Sequence, residues 1–535
     1  MGYCCSTCTR SSRERRGWRA GIVLLLWLIG CTVDVPESRR TTVVYASGAD
    51  LQSINPLIAV HPLAKAVQKH LLFMTVASYD TALQPVPRLA AWSWNASRTV
   101  LTLQLRTDVT WHDGIATTAR DIAWTMAMAR DRQTAYPRAR DLAGIVAVTA
   151  VDSFTVQIEF ERSQPVFPDV LTDLAVLPAH LLGGLQPSEI RAADFNRAPV
   201  GNGPFEFVEY RPNQRWVFRR SASFPAELGR PEVEQFVVVV VDEPSTKLAA
   251  LTSGELDFAG ISPAHAAFVR EDPRLGTIDY PIQFVNALIW NTRRPPFDDV
   301  RVRRALTLAL DRQLIIDAYL YGFGTLAAGP VPVQHPWYSF TEPVPFDPAE
   351  AISLLERAGW QVGDDGVRRR GSQPLSFDLL TVGSGDAPLE QMIQAQLREV
   401  GVAVRIRQLE LTSFLARAQA AERDFDALVT GVPGDLSLGY VAAMFPGTDP
   451  GPLAYSGYTS DQLDSAFHRT QQAETESDLR SAWVEVQRIL ARDLPTTWLY
   501  HARGLQGANL RISNVVVDLR GELASIANWR LEQRP

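Results

Sequence analysis

Six consecutive apolar residues, Phe236 to Val241, constrain this chain more than any other stretch. A strand with one wet face alternates apolar and polar positions, so an unbroken apolar run reads as a strand covered on both faces. The next residues supply a cover: Pro244 and Ser245 open a helix, Gly254 closes it, and Leu256-Asp257-Phe258-Ala259 reads as a second strand. This strand–helix–strand unit places the chain in the α/β class.

Other segments repeat the alternation. Thr42 to Ala46 gives the first strand signal. Residues 80–160 read as mainly antiparallel sheet, because Leu101, Leu103 and Leu105, and later Val156, Ile158 and Phe160, alternate with polar neighbours. Between them a helix starts at Thr118, with Asp121 at the capping-box position. Asn286 to Trp290 is another apolar strand, followed by a turn at Pro295-Pro296 and a helix capped at Asp298-Asp299, with Val302, Ala305, Leu306, Ala309 and Leu310 on one face. Leu389, Met392, Ile393, Leu397 and Val400 form a further helical stripe ended by Gly401, and Val402, Val404 and Ile406 then alternate as a strand. Leu479, Ala482, Val486, Ile489 and Leu490 mark a late helix that stops at Pro495. Arg368-Arg369-Arg370, beside Asp364-Asp365-Gly366, reads as a solvated hairpin.

The length of 535 residues suggests two to four domains at roughly 150 residues each. A content of 46% hydrophobic and 21% charged residues excludes a disordered tail, a collagen and a multi-span membrane protein. The net charge of −7 argues against a broad nucleic-acid footprint. All four cysteines (Cys4, Cys5, Cys8, Cys31) precede residue 32, so the body of the chain carries no disulfide, zinc ribbon or thiol nucleophile.

The N-terminus reads as an export signal. Arg10, Arg13, Arg15, Arg16 and Arg19 precede the apolar stretch Ala20–Gly30, which is shorter than the roughly 20 residues a spanning helix needs. The stretch ends in Leu28-Ile29-Gly30-Cys31, which resembles a bacterial lipobox; that resemblance implies removal of residues 1–30 and lipid attachment at Cys31. An uncleaved anchor with an incidental cysteine is the alternative. Cleavage would remove five arginines and one glutamate and leave a mature chain at −11.

Four segments in order resemble the family 5 extracellular solute-binding proteins, the peptide and nickel receptors of ABC transporters. They are Val109 to Gly114 continuing through Thr118 to Ile122, then Gly201-Asn202-Gly203-Pro204-Phe205, then Trp290-Asn291-Thr292 with Pro296 to Leu306 and Asp311-Arg312, and finally Ala358-Gly359-Trp360 with Asp365-Gly366. The resemblance implies an α/β, two-lobed periplasmic-binding-protein type II-like fold with an extra subdomain in the first lobe. Lobe one would hold residues 42–285 plus 500–535, with the subdomain at about 60–190, behind a lipidated tether at 31–41; lobe two would hold 286–499. Strands near Asn286–Asn291 and Thr496–Tyr500 would cross between them, and ligand would be enclosed by hinge closure.

The resemblance also points to a site. Peptide-binding members look like Gly-Trp-x-x-Asp, usually with a further Asp-Pro, after a strand corresponding to Asp424–Val429, and there the aspartate receives the peptide's α-ammonium. Asp435 falls on it, with Gly434 beside it; Val432 departs from the tryptophan and Leu438-Gly439 from the Asp-Pro. Leu72-Phe73-Met74-Thr75 lacks a glutamate that many members carry. Tyr440, Trp290 and Asn291 are further candidate lining residues, with core packing the alternative for Trp290. The expected function is a lipid-anchored monomer at the periplasm or cell surface that passes a peptide or peptide-like solute to ABC permease and ATPase subunits, without a cofactor, a metal or bond chemistry of its own. A receptor for a nickel chelate or other small solute, with His501 as a possible contact, is the alternative, as is a sensory binding protein. An exported enzyme has less support: Gly383-Ser384-Gly385 is not a nucleophile elbow, and the eight histidines lack metal-ligand spacing.

Overall fold

A computed structural model of the chain describes residues 37–420, 422–446 and 453–532; Cys31 and the leader before it lie outside the described residues. Among those described, no helix is long and apolar enough to cross a membrane.

The apolar run forms the strand Gln235–Val240, parallel to Thr42–Ser47 on one side and antiparallel to Arg215–Arg220 on the other. Its two faces serve two cores. Phe236 and Val238 enter the large hydrophobic cluster of the first lobe, while Val239 packs on a smaller one around Leu251, Leu256 and Val269. The helix Pro244–Ser253 follows, with the Glu243 carboxylate accepting from Thr246 N at 2.6 Å. Gly254 ends it at φ 80°, a left-handed position glycine adopts without steric cost. Phe258–Gly260 then returns parallel on the other side of Thr42–Ser47.

Residues 90–160 form a separate antiparallel sheet in the order Ala90–Trp94, Val100–Leu105, Thr155–Phe160, Ile145–Ala150. Its alternating leucines, valine and isoleucine are buried, each contributing roughly 1.5–3 kcal/mol of hydrophobic stabilisation. The helix Ala119–Arg130 covers it, and its capping box is formed: Thr118 N donates to Asp121 Oδ2 at 2.7 Å. This is the extra subdomain of an otherwise two-lobed α/β fold.

Two long strands, Leu275–Trp290 and Thr496–Asn509, carry one sheet through both lobes. They pair antiparallel from Leu275 opposite Asn509 to Ile289 opposite Thr496, with register breaks between Pro281 and Val285 and between Asn286 and Ala287. Proline has no N–H to give the ladder, so a break at Pro281 is expected. The lateral neighbours change at the same place. Gln506–Ala508 pairs with Phe258–Gly260 in the first lobe, whereas Phe284–Trp290 pairs with Ala427–Pro433 in the second. Beyond Ala427–Pro433 lie Ser376–Val382 and Ala403–Leu409, flanked by helices that include Val300–Leu308, Pro388–Glu399 and Glu476–Asp493.

The arginine triplet is not uniformly solvated. Arg368 is 2% exposed and donates to Val400 O at 2.7 Å and Trp360 O at 2.9 Å. Its neighbours fit the surface reading: Arg369 pairs with Asp365 at 2.8 Å, and Arg370 lies 4.8 Å over the Trp360 ring.

Candidate ligand site between the lobes

The strand Ala427–Pro433 delivers a short loop to the lobe boundary. Gly431 faces Phe284 so closely that a Cβ would lie 2.1 Å from its ring. Gly434 N donates to Gln283 O at 2.8 Å, which pins the loop to the crossing strand. Asp435 Oδ1 then accepts from Ser437 N at 3.0 Å and Ser437 Oγ at 2.7 Å. Oδ2 of Asp435 has no protein partner among the described residues. Leu438, at φ 59°, turns the chain into the helix Gly439–Met444. Tyr440 on that helix is buried and donates to Pro330 O at 2.8 Å; burial and the nearby Asp435 carboxylate both push its hydroxyl pKa up.

The first lobe meets this loop with charge. Arg138 Nε donates to Asp141 Oδ2 at 2.6 Å, its Nη2 to Asp169 Oδ2 at 2.6 Å, and its Nη1 lies 2.9 Å from Asp173 Oδ2. Lys69 and Lys65 reach Asp173 at 3.0 and 3.5 Å, and Tyr79 donates to Asp169 at 2.9 Å. Burial opposes the Arg138 charge, but Asp169, Asp173, Asp141 and Asp435 together hold it protonated. Burial likewise opposes the Asp173 charge, yet Lys69, Lys65 and Arg138 keep its pKa well below the usual carboxylate range. Asp141 differs: burial, with Asp435 and Asp169 as like-charged neighbours, raises its pKa despite Arg138. The lobes approach closely here. Asp141 Oδ1 is 4.0 Å from where a Cβ on Gly439 would sit, and Val166 packs on a hydrophobic cluster of the second lobe.

His335 lies at the same junction and is 3% exposed. Its Nδ1 accepts from Trp337 N at 3.1 Å, and burial lowers its pKa to about 4. Its Nε2 has no partner among the described residues. His501, on the second crossing strand opposite Val285, is also buried and lowered to about 4, with Nδ1 unpartnered. Among the described residues no group of three or more His, Cys, Asp or Glu is arranged to hold a metal ion.

The structure therefore brings Gly434, Asp435 and Tyr440 together and separates Trp290 and Asn291 from them. Trp290 pairs with Ala427, six residues along the ladder from Pro433, which is about 20 Å at strand spacing. Its ring is fully buried, stacks on Phe297 at 5.0 Å and gives its N–H to Thr497 Oγ1 at 3.1 Å. Asn291 spends its amide on Arg423 O at 2.9 Å and Phe425 O at 2.8 Å. Both are bound into the second lobe's interior. Arg138, Asp141, Asp169, Asp173 and His335 were not singled out from sequence; they come from separate loops, and nothing local marks them.

Two cored lobes, a shared pair of crossing strands and a charged junction where the lobes meet define a two-lobed solute-binding protein. The chain belongs to the bacterial extracellular solute-binding proteins of family 5, whose model matches residues 84–446. It is similar to Protein XP55 of Streptomyces lividans, 28% identical over 96% of this chain and 93% of that one. The oligopeptide-binding protein AppA of Bacillus subtilis is 23% identical over 80% of each chain. The structure of AppA in complex with a nonapeptide aligns with 92% of this chain and 99% of its own at TM-score 0.76 and 22% identity. NikZ of Campylobacter jejuni, in complex with Ni(L-His), aligns with 92% and 99% at TM-score 0.78 and 21% identity.

Proposed function

We propose that this chain is the substrate-binding component of an ABC importer, holding a peptide between its lobes by the peptide's N-terminal ammonium. The observation that carries the reading is Asp435: a carboxylate fixed by Ser437, with one oxygen unpartnered among the described residues, at the point where the lobes meet. An ammonium leaving water needs a fixed counter-charge, since an unpaired buried charge costs several kcal/mol. The relatives named for oligopeptide binding support the ligand class. Closure follows if ligand touches both lobes, because a ligand shifts the equilibrium only by its differential affinity for the closed form. Permease and ATPase subunits would receive the closed monomer and supply the energy; the chain itself would break no bond. A lipid on Cys31 would hold it at the periplasmic or cell surface.

Native mass spectrometry of the chain from Thr32 onward, purified from a peptide-rich periplasm, tests this reading. A bound mass that fragments into amino-acid residues is the expected result. A non-peptide mass overturns it in favour of another small solute, and an empty protein that gains no thermal stability from a peptide mixture overturns peptide capture altogether. For the anchor, Cys31→Ser should release the chain from the membrane fraction; continued retention would refute lipidation at that residue.

A further inference from the structure

We infer that Phe323 of the second lobe and Arg270 of the first form a positioning pair that sets the angle between the lobes and so biases the equilibrium between open and closed forms. The pair lies beside the place where the crossing strands change register. Along one edge of Thr496–Asn509, Gly260 of the first lobe pairs opposite Gln506, and Gly324 of the second lobe pairs opposite Ala502. The register break between Pro281, opposite Arg503, and Val285, opposite His501, falls at the second-lobe end of this gap. Phe323, the residue before Gly324, reaches across it and packs on the small first-lobe cluster that includes Leu251, Ile261, Val269 and Leu505. The Arg270 guanidinium covers the Phe323 ring, 5.5 Å from its centroid.

Each partner is fixed to its own lobe. After the helix Arg312–Tyr319, Tyr321 at φ 52° and Gly322 at φ 82° reverse the chain. Gly322 N donates to Ile316 O at 3.1 Å and Phe323 N to Leu320 O at 2.9 Å. A Cβ on Gly324 would lie 2.9 Å from Leu320 Cδ1, so the turn is packed tightly on the second lobe. Arg270 stands on the helix Ala266–Glu271, whose Ala266 and Val269 are buried in the first-lobe cluster. Its Nε donates at 3.0 Å to Thr277 Oγ1, on the first-lobe half of the crossing strand Leu275–Trp290. Bending at the register break therefore changes the separation of Arg270 and Phe323 instead of carrying both along. The contact is made in the arrangement where the lobes meet at the Asp435 loop, so it favours that arrangement over more open ones. A cation on an aromatic face near solvent shifts such a population ratio by about two- to fivefold. Apparent affinity scales with the fraction of the chain in the competent form, so this pair acts on every ligand alike, whatever its terminal charge.

The test uses the full chain in detergent without added ligand. A ketone-bearing residue in place of the exposed Val146 in the first lobe, and another in place of the exposed Val484 in the second, carry spin labels, and the distribution of label-to-label distances is read. Arg270→Gln should raise the ratio of open to closed molecules about two- to fivefold. Phe323→Ala should raise it further, because it also loses its packing on the cluster. The double variant should go no further than Phe323→Ala alone, since the guanidinium then has no ring to cover. Arg270 is exposed, so its variant keeps the fold, and melting of each variant confirms it. Distributions unchanged in both single variants, a shift toward shorter distances, or fully additive effects in the double variant overturn the inference. A lower melting temperature with unchanged distances assigns the pair to packing alone and overturns it as well. None of these outcomes touches the Asp435 reading, which rests on a different loop.

Discussion

Replacing Trp290 separates scaffold from site. The ring is fully buried, stacks on Phe297 with the planes at 20°, meets Phe377 edge-on at 5.8 Å, and gives its N–H to Thr497. Trp290→Ala removes the largest kind of buried side chain, for which the expected cost is about 3–5 kcal/mol. It also leaves Thr497 Oγ1 without the indole donor, although Thr307 Oγ1, at 2.6 Å, remains as a partner. For a lobe of about 200 residues each kcal/mol lowers Tm by roughly 2–4 °C, so a drop of about 6–20 °C follows. Trp290→Phe keeps the stacking and should cost about 1–2 kcal/mol. Calorimetric melting gives the stability, and titration of folded protein with a captured peptide gives the affinity, which should change by less than about twofold because the ring lies about 20 Å along the strand from the Asp435 loop. Loss of affinity with unchanged melting would refute the placement of Trp290 in the scaffold.

Three further outcomes follow from the packing and the buried charges. A Cβ on Gly504 would lie 2.2 Å from the buried Tyr280 ring, which Glu522 holds at 2.6 Å, so Gly504→Ala should cost about 1–3 kcal/mol in denaturant unfolding and less in a Tyr280→Ala background. Arg368→Met should destabilise by about 2–4 kcal/mol by orphaning two buried carbonyls, whereas Arg369→Ala, half-exposed and ion-paired with Asp365, should stay within about 0.5 kcal/mol. His335 and His501 have folded pKa values lowered to about 4 by burial, so below pH 6.5 the unfolded chain binds protons that the folded chain does not. Stability from these residues is present above pH 6.5 and is lost as pH falls toward 4, at up to about 1.4 kcal/mol per pH unit for each histidine. Unfolding measured between pH 5 and 6.5 should show a shallower slope in the His335→Gln and His501→Gln double variant.

The sequence carried the elements whose signal is local. The run at Phe236 becomes a strand with two packed faces, and Thr118 with Asp121 forms its capping box, because apolar period and capping act over a few residues. The crossing strands are longer than the short apolar segments that announce them. Pro281, Gln283 and Gly504 do not read as strand, yet the ladder runs past them because a partner strand supplies the hydrogen bonds. Arg368 read as surface because charge runs usually are; two carbonyls brought together by the fold decide otherwise. At the candidate site the loop after Ala427–Pro433 was legible through its resemblance, and Asp435, Gly434 and Tyr440 lie together on it. Its opposite wall was not. Arg138, Asp141, Asp169 and Asp173 come together from separate loops of the first lobe and face His335 and the Asp435 loop only where the two lobes meet, and no spacing in one strand or helix encodes that.

The central claim is that a free ammonium is held by Asp435 where the lobes meet. Isothermal titration of the unsubstituted chain and Asp435→Ala with one captured peptide and its N-acetylated form tests it most directly. The account predicts that Asp435→Ala weakens the free-amine peptide by about 2–5 kcal/mol and the acetylated one by less than about 0.5 kcal/mol. Equal losses for the two peptides, or no loss for either, would contradict it.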